Sequence, residues 1–147
     1  MRCLLALLVA ALALPPAAAH PEDPDCVLAT DAGDSWSMAS AVAVPVACAG
    51  QLHSSWDSTD YYKFFCDAGQ RFRAVVTSPS PAVNLRAYLP VYTPVPVHLA
   101  WTSTQATGTA VIEVTCHVFG DYRIQLLHGG LDPGLYDVPY TLDLSFV

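Results

Sequence analysis

The strongest constraint on the fold of this chain is an alternation of apolar and polar side chains with a period of two residues. Between residues 71 and 77, Phe72, Ala74 and Val76 point one way, and polar or smaller side chains point the other. The same pattern occurs at 61–66, 83–89, 95–101, 110–116, 122–126 and 141–146. Because side chains alternate between the two faces of a strand, each segment is predicted to be a strand with one buried face and one solvated face.

The spacing of these segments predicts the fold class. Turn sequences such as Asp67–Gln70 and Gly120–Asp121 separate them at short intervals, which is typical of an antiparallel sandwich or barrel. Two further apolar segments, 42–46 and 49–53, bring the expected number of strands to eight or nine. Helical periodicity is almost absent, and one helical turn is expected at 35–41, after the capping residue Asp34. The chain is therefore expected to be all-β.

The N-terminal residues have the features of an export signal. Arg2 precedes the apolar run 4–14, and Ala17–Ala19 provides small residues for cleavage. The apolar run is too short to span a membrane. We predict a signal peptide at 1–19, a disordered leader at 20–25 and one domain at 26–147. The mature protein is expected to be secreted, in the extracellular space or at the cell surface.

The charge of the chain argues against a nucleic-acid partner. The full sequence has a formal charge of −7, with six basic and 13 acidic residues. Loss of Arg2 with the signal leaves five basic residues against the same 13 acidic ones, a formal charge of −8. No basic cluster is visible that could displace counterions from phosphates.

Four cysteines remain after removal of the signal, namely Cys26, Cys48, Cys66 and Cys116. An even number of cysteines in an exported chain indicates disulfides. Zinc binding is the alternative, but the long spacings and the lack of a C-x-x-C motif disfavour it. Cys66 and Cys116 both fall on inward faces and both end their strands. We therefore prefer the pairs Cys66–Cys116 and Cys26–Cys48 among the three possible pairings.

Several short motifs resemble the bacterial and archaeal pre-peptidase C-terminal domain family. They are Asp31-Ala-Gly-Asp34-Ser35 with Ala39, then Asp57-Ser-Thr-Asp60-Tyr61-Tyr62-Lys63-Phe64, then Ala68-Gly69-Gln70, and finally Gly120-Asp121-Tyr122-Arg123-Ile124. The resemblance extends from Asp31 to the C-terminus. It implies a β-sandwich of jelly-roll type and a role in secretion, localisation or substrate binding beside a secreted peptidase. Here no peptidase domain is expected before the module, so such a peptidase would act in trans.

The chain lacks recognisable catalytic motifs. It contains no G-x-S-x-G and no H-E-x-x-H sequence. His53, His98, His117 and His128 are scattered and are expected to be solvated surface residues. We therefore predict an accessory or binding module with no enzymatic activity. A structural, self-assembling envelope component is the alternative, and a small hydrolase is the third hypothesis.

Two acidic loops are candidates for a metal site. Asp31 and Asp34 form one D-x-x-D pair, and Asp57 and Asp60 form another. Carboxylate oxygens are the ligands that Ca²⁺ prefers. The alternative is that these residues accept backbone hydrogen bonds in turns and caps. Calcium is thus one hypothesis for these loops, and no other cofactor is indicated.

Exposed aromatic side chains form the second candidate site. Trp36 and Trp56 lie in predicted loops, and Tyr61, Tyr88 and Tyr140 are among the tyrosines expected to face outward. Trp and Tyr are favoured at interfaces because they combine a large apolar surface with a polar group. The alternative is that the two tryptophans cover the ends of the core. The predicted ligand is a protein or a polysaccharide.

Overall fold

The structure is a computed structural model that describes residue 26 and residues 32–53, 57–79, 83–90, 97–104, 108–129 and 137–147. One turn of 3₁₀ helix, Trp36–Met38, precedes the strands. The strands are β1 (Ser40–Ala41), β2 (Val46–His53), β3 (Thr59–Cys66), β4 (Arg71–Thr77), β5 (Val83–Tyr88), β6 (His98–Ser103), β7 (Thr109–Thr115), β8 (Gly120–His128) and β9 (Asp137–Phe146). The prediction of an all-β fold with eight to nine strands is confirmed.

The strands form two sheets. The five-stranded sheet has the order β1-β3-β8-β5-β6, and the four-stranded sheet has the order β2-β9-β4-β7. All pairs are antiparallel except β1 with β3. From β2 to β9 the chain changes sheet at every connection except β5 to β6. This is the connectivity of a jelly roll, in which eight strands build two facing sheets.

The core lies between the sheets and is made by the predicted inward faces. Phe72, Ala74 and Val76 on β4 are buried, as are Leu142 and Leu144 on β9. At one end of the sandwich, Phe64 packs edge-on against Phe72 with their ring centres 4.9 Å apart. The pleat of each strand thus assigns its side chains to the core or to the outside, as the alternation predicts.

Both predicted disulfides are present. Cys66 and Cys116 form a fully buried bridge between the two sheets. Cys26 pairs with Cys48 on β2, and the Cys26 amide also donates to the carbonyl of Ala49. Two bridges indicate folding in an oxidising compartment. No described helix is long and apolar enough to cross a membrane. The predicted signal peptide and leader lie outside the described residues and stay predictions.

Two details of the predicted strands were wrong. Segments 42–46 and 49–53 were expected to be two strands, but Val46–His53 form the single strand β2. Residues 42–45 lie outside any strand, with a bend at 44–45 that contains the cis peptide before Pro45. Trp101 was expected to share an inward face with Leu99. A register shift next to Ala87 and Tyr88 instead leaves Trp101 opposite Arg86, on the outside of the five-stranded sheet.

Candidate functional site

The candidate site is the outside of the five-stranded sheet, which we call the outer face. It is formed by the outward side chains of β3, β8, β5 and β6, together with Trp36 from the preceding 3₁₀ turn. The cross-strand pairs place these side chains in rows, and they comprise Tyr61, Lys63, Arg86, Tyr88, His98, Trp101, Arg123 and Gln125. The outer face therefore contains both aromatic and cationic groups.

The segment that carries Trp36 is fixed to β3 through Gly33. The Tyr61 amide donates to the Gly33 carbonyl at 3.0 Å, and the Gly33 amide donates to the Ser40 hydroxyl at 3.2 Å. A side chain at position 33 would overlap the main-chain carbonyl of Met38. Glycine is therefore needed here because the 3₁₀ turn folds back closely over the start of its own segment.

The Trp36 ring is held over the sheet by three neighbours. It packs edge-to-face against Tyr88 at 5.0 Å and against Tyr61 at 6.2 Å between ring centres. On its face, the guanidinium carbon of Arg123 lies 4.6 Å from the ring centre. Edge-to-face aromatic pairs and cation–π contacts are both favourable arrangements. Trp36 is consequently half-buried and ordered by contacts with three strands, β3, β5 and β8.

Arg123 is oriented by two main-chain oxygens. Its Nε donates to the Trp36 carbonyl and its Nη1 donates to the Asp121 carbonyl, each at 3.2 Å. These bonds leave the Nη2 group of the guanidinium without an acceptor among the described residues. Because a guanidinium has five N–H donors in a rigid fork, it can bind a carboxylate while keeping its existing contacts.

Tyr88 and Tyr61 differ in exposure. Tyr88 is only 9% exposed because Trp36 covers it, and its hydroxyl donates to the Gln125 amide oxygen at 2.7 Å. Burial, and secondly the neighbouring Tyr88 hydroxyl, raise the pKa of Tyr61, while the charge of Arg86 acts in the opposite direction. The Tyr61 phenol is therefore neutral at physiological pH. Tyr88 packs beneath Trp36, and Tyr61 lies nearer to solvent.

β6 provides the most exposed part of the outer face. Trp101 is 66% exposed and lies opposite Arg86. His98 packs against Tyr88 at 5.2 Å between ring centres. Partial burial of its imidazole, followed by the positive charge of Arg86, lowers the pKa of His98. An open indole of this size on a polar sheet face is a typical contact residue at interfaces.

The acidic residues proposed for calcium have different environments in the structure. Asp34 is exposed, and Asp60 is fully buried, where its Oδ2 accepts a hydrogen bond from the Tyr140 hydroxyl at 2.5 Å. Asp57 is also buried, and Asp31 lies outside the described residues. Within the described part of the chain no group of three potential ligands is found. The calcium site, which includes Asp31, stays a prediction.

Besides Tyr88, which Trp36 covers, two of the expected surface residues are buried. His128, at the end of β8, was expected to be solvated but is 8% exposed. Tyr140 was expected to face outward but lies in the core, where its hydroxyl is 2.5 Å from that of Tyr62. His98 and His117 are exposed as predicted. The two errors arise because β8 and β9 continue beyond the segments that the alternation defined.

The structure assembles part of the predicted aromatic site and adds residues to it. Trp36, Tyr61 and Tyr88 lie together on the outer face, whereas Trp56 lies outside the described residues. Sequence reasoning placed Arg86 and Arg123 on solvated strand faces but did not join them to the tryptophan. The missing information was the sheet order, which makes β3, β8 and β5 neighbours.

Comparison with known proteins identifies the fold but no family. No family model matches the chain. No curated protein sequence matches it either. The resemblance to the pre-peptidase C-terminal domain is therefore supported by the fold alone.

Solved structures with the same architecture are known. The lysozyme inhibitor PliG of Aeromonas hydrophila, described as a periplasmic inhibitor of g-type lysozyme, is 18% identical, with a TM-score of 0.58 over 73% of this chain and 94% of that one. The pre-peptidase C-terminal domain of a Bacillus anthracis collagenase is also 18% identical, with a TM-score of 0.52 over 71% and 92%. PliG of Salmonella Typhimurium is 15% identical, with a TM-score of 0.50 over 74% and 96%.

Proposed function

We propose that this chain is an exported, non-catalytic binding module that attaches to a protein partner through the outer face. The observation that carries the proposal is the exposed Trp101 on the same sheet face as the ordered pair of Trp36 and Arg123. Trp, Tyr and Arg are the residue types that contribute most to binding energy in protein interfaces. They are concentrated here on one side of the sandwich.

The comparisons support this choice of partner. The PliG proteins are inhibitors of a lysozyme, so the same fold serves elsewhere to bind a protein. The other matched domain belongs to a collagenase, an enzyme that acts on protein. A secreted peptidase acting in trans is accordingly a candidate partner for this chain. Location outside the cytoplasm is part of the proposal and is supported by the two disulfides.

A protein partner fits the outer face better than a neutral polysaccharide does. Sugars stack on open aromatic faces, but one face of Trp36 is covered by Arg123 and Tyr88 is buried beneath its edge. Trp101 is the most exposed ring of the described outer face. Guanidinium groups and edge-packed rings suit the mixed polar and apolar surface of a protein.

Site-specific photo-crosslinking tests the proposal. A photoreactive benzoylphenylalanine would replace Trp101 on the outer face, and in a matched control it would replace the exposed Val111 on the outside of the four-stranded sheet. With exported proteins of the source organism, we expect a discrete protein adduct from position 101 and none from position 111. Equal adducts from both positions, or selective adducts with added polysaccharide, would contradict the proposal.

The rival functions have separate tests. A self-assembling component would form a defined oligomer in light scattering, and its crosslinks from position 101 would join two copies of the chain. A hydrolase would turn over substrate and lose that activity after substitution of one acid or histidine. The proposed function predicts neither result.

A further inference from the structure

The basic side chains on the two sheets differ in whether they form ion pairs. On the outside of the four-stranded sheet, Arg71 and Arg73 both form ion pairs with Glu113. On the outer face, Lys63, Arg86 and Arg123 form no ion pair with any carboxylate of the described residues. Three of the five basic residues that follow the predicted signal therefore share one surface without an acidic partner in the described chain.

These three cations are placed close together. Lys63 and Arg123 are directly opposite each other on β3 and β8. Arg86 lies opposite Gln125 on the adjacent strand, one row from Arg123. Like charges directly opposite on neighbouring strands destabilise a sheet. The arrangement opposes folding stability in a chain with 13 acidic residues available, which indicates that the positive charge serves another purpose.

Asp121 is the acidic side chain in the described strands of this surface. It lies two residues before Arg123 and opposite Phe65, at the end of the sheet. Its contact with Arg123 is made by the main-chain oxygen. The positive charge of the outer face therefore exceeds its negative charge, on a molecule whose overall formal charge is negative.

The Arg123 guanidinium is also already held in a fixed position in which it can bind an anion. The two main-chain oxygens and the Trp36 ring fix the guanidinium before any partner arrives. Fixing a side chain in its bound conformation lowers the entropy lost on association. A guanidinium binds a carboxylate through two parallel hydrogen bonds.

We infer that the outer face binds an acidic segment of its protein partner, with Arg123, Arg86 and Lys63 contacting Asp or Glu carboxylates and Trp101 packing against apolar side chains beside them. This inference rests on the proposed function and specifies the chemistry of the partner. A polysaccharide rich in uronic acids offers the same carboxylates. We favour the protein segment because Trp36 is already covered by Arg123 and is not an open platform for sugar rings.

The repulsion between this protein and a polyanion makes the test stringent. Poly-L-glutamate is the probe, since it presents peptide-borne carboxylates and nothing else. The net negative charge of the chain disfavours its association, so binding requires a local positive surface. We expect saturable binding at low ionic strength, measured by tryptophan fluorescence and calorimetry, that weakens as salt is raised.

A charge-matched pair of variants locates the binding. Lys63→Gln with Arg86→Gln removes two charges from the outer face and leaves the contact of Arg123 with Trp36 in place. Arg71→Gln with Arg73→Gln removes two charges from the opposite sheet. We expect the first double variant to weaken poly-L-glutamate binding about tenfold or more, and the second to change it by less than about twofold. Thermal melting confirms that both variants fold.

Several outcomes would overturn the inference. One is equal loss of binding in the two double variants, and another is absence of binding to poly-L-glutamate. Stronger binding to polygalacturonate at matched carboxylate concentration would identify a polysaccharide ligand instead. If position 101 still crosslinks a discrete protein while the outer-face double variant does not reduce that adduct, the inference fails and the proposed function stands.

Discussion

The guanidinium carbon of Arg123 lies 4.6 Å from the centre of the Trp36 ring, although the two residues are 87 positions apart. The same arginine donates to the carbonyl of that tryptophan. This contact joins the 3₁₀ turn to the central strand β8 and fixes the groups at the middle of the outer face.

Replacement of Trp36 is predicted to affect stability and not only binding. Trp36→Ala removes the ring that covers Tyr88 and contacts Arg123. For a half-buried aromatic residue, we expect a loss of about 1–3 kcal/mol in the free energy of unfolding, measured by urea denaturation. Trp101→Ala is the control, because removal of its exposed ring should lower the free energy of unfolding by less than about 0.5 kcal/mol. Equal losses for the two variants would refute the assigned roles.

Gly33 is predicted to control the position of Trp36. Gly33→Ala introduces a Cβ that overlaps the Met38 carbonyl, so the 3₁₀ turn must move away from β3. We expect the Trp36 ring to move away from Tyr88 and Arg123, which NMR would detect as chemical-shift changes of these two residues. Ser37→Ala, at an exposed position in the same turn, should leave their signals unchanged. Unchanged signals in Gly33→Ala would show that the close approach is unimportant.

A buried chain of hydroxyls is predicted to stabilise the sandwich. The Tyr140 hydroxyl donates its only proton to Asp60. In the contact between the two tyrosines, the Tyr62 hydroxyl is therefore the donor and the Tyr140 oxygen is the acceptor. Tyr140→Phe removes a donor from a fully buried carboxyl group and should cost about 1–3 kcal/mol. Tyr62→Phe leaves the bond to Asp60 intact and should cost about 1 kcal/mol. Chemical denaturation of both variants checks this order, and the reverse order would contradict it.

His98 is predicted to titrate below the ordinary histidine pKa. Burial and then the charge of Arg86 lower its pKa in the folded protein. The unfolded chain therefore binds the proton more readily, and the contribution of His98 to stability falls as pH drops from about 6.5 toward the folded pKa. NMR titration should show this lowered midpoint, and Arg86→Gln should move it upward. A midpoint unaffected by Arg86→Gln would exclude the electrostatic contribution.

The two disulfides are predicted to contribute unequally. The Cys66–Cys116 bridge spans 50 residues and the Cys26–Cys48 bridge spans 22. Loop entropy alone favours the longer bridge by about 0.7 kcal/mol, and loss of the buried sulfurs adds a packing term. The double variant Cys66→Ala/Cys116→Ala should therefore melt at a lower temperature than Cys26→Ala/Cys48→Ala. The opposite order in calorimetry would contradict this.

The fold was predictable from the sequence because its main determinant is local. Successive side chains of a strand point to opposite faces. The local alternation therefore predicts that Phe72, Ala74 and Val76 are core residues, whatever the rest of the chain does. The inward positions of Cys66 and Cys116 indicated their pairing for the same reason. The alternation was misleading at Trp101, where a register shift reverses the faces of β6. Such a shift depends on the partner strand β5 and leaves no local signal.

The sequence by itself determined which side chains of most strands turn inward, that eight or nine strands form, and which pairing of the cysteines is preferred. Only the tertiary structure decided that β3, β8 and β5 are neighbours, and so that Lys63, Arg123 and Arg86 share a surface with Trp36. It also decided that Tyr140 meets Asp60 inside the core. The physical reason is that face alternation follows from the geometry of one strand, whereas sheet order is set by packing between segments far apart in the chain.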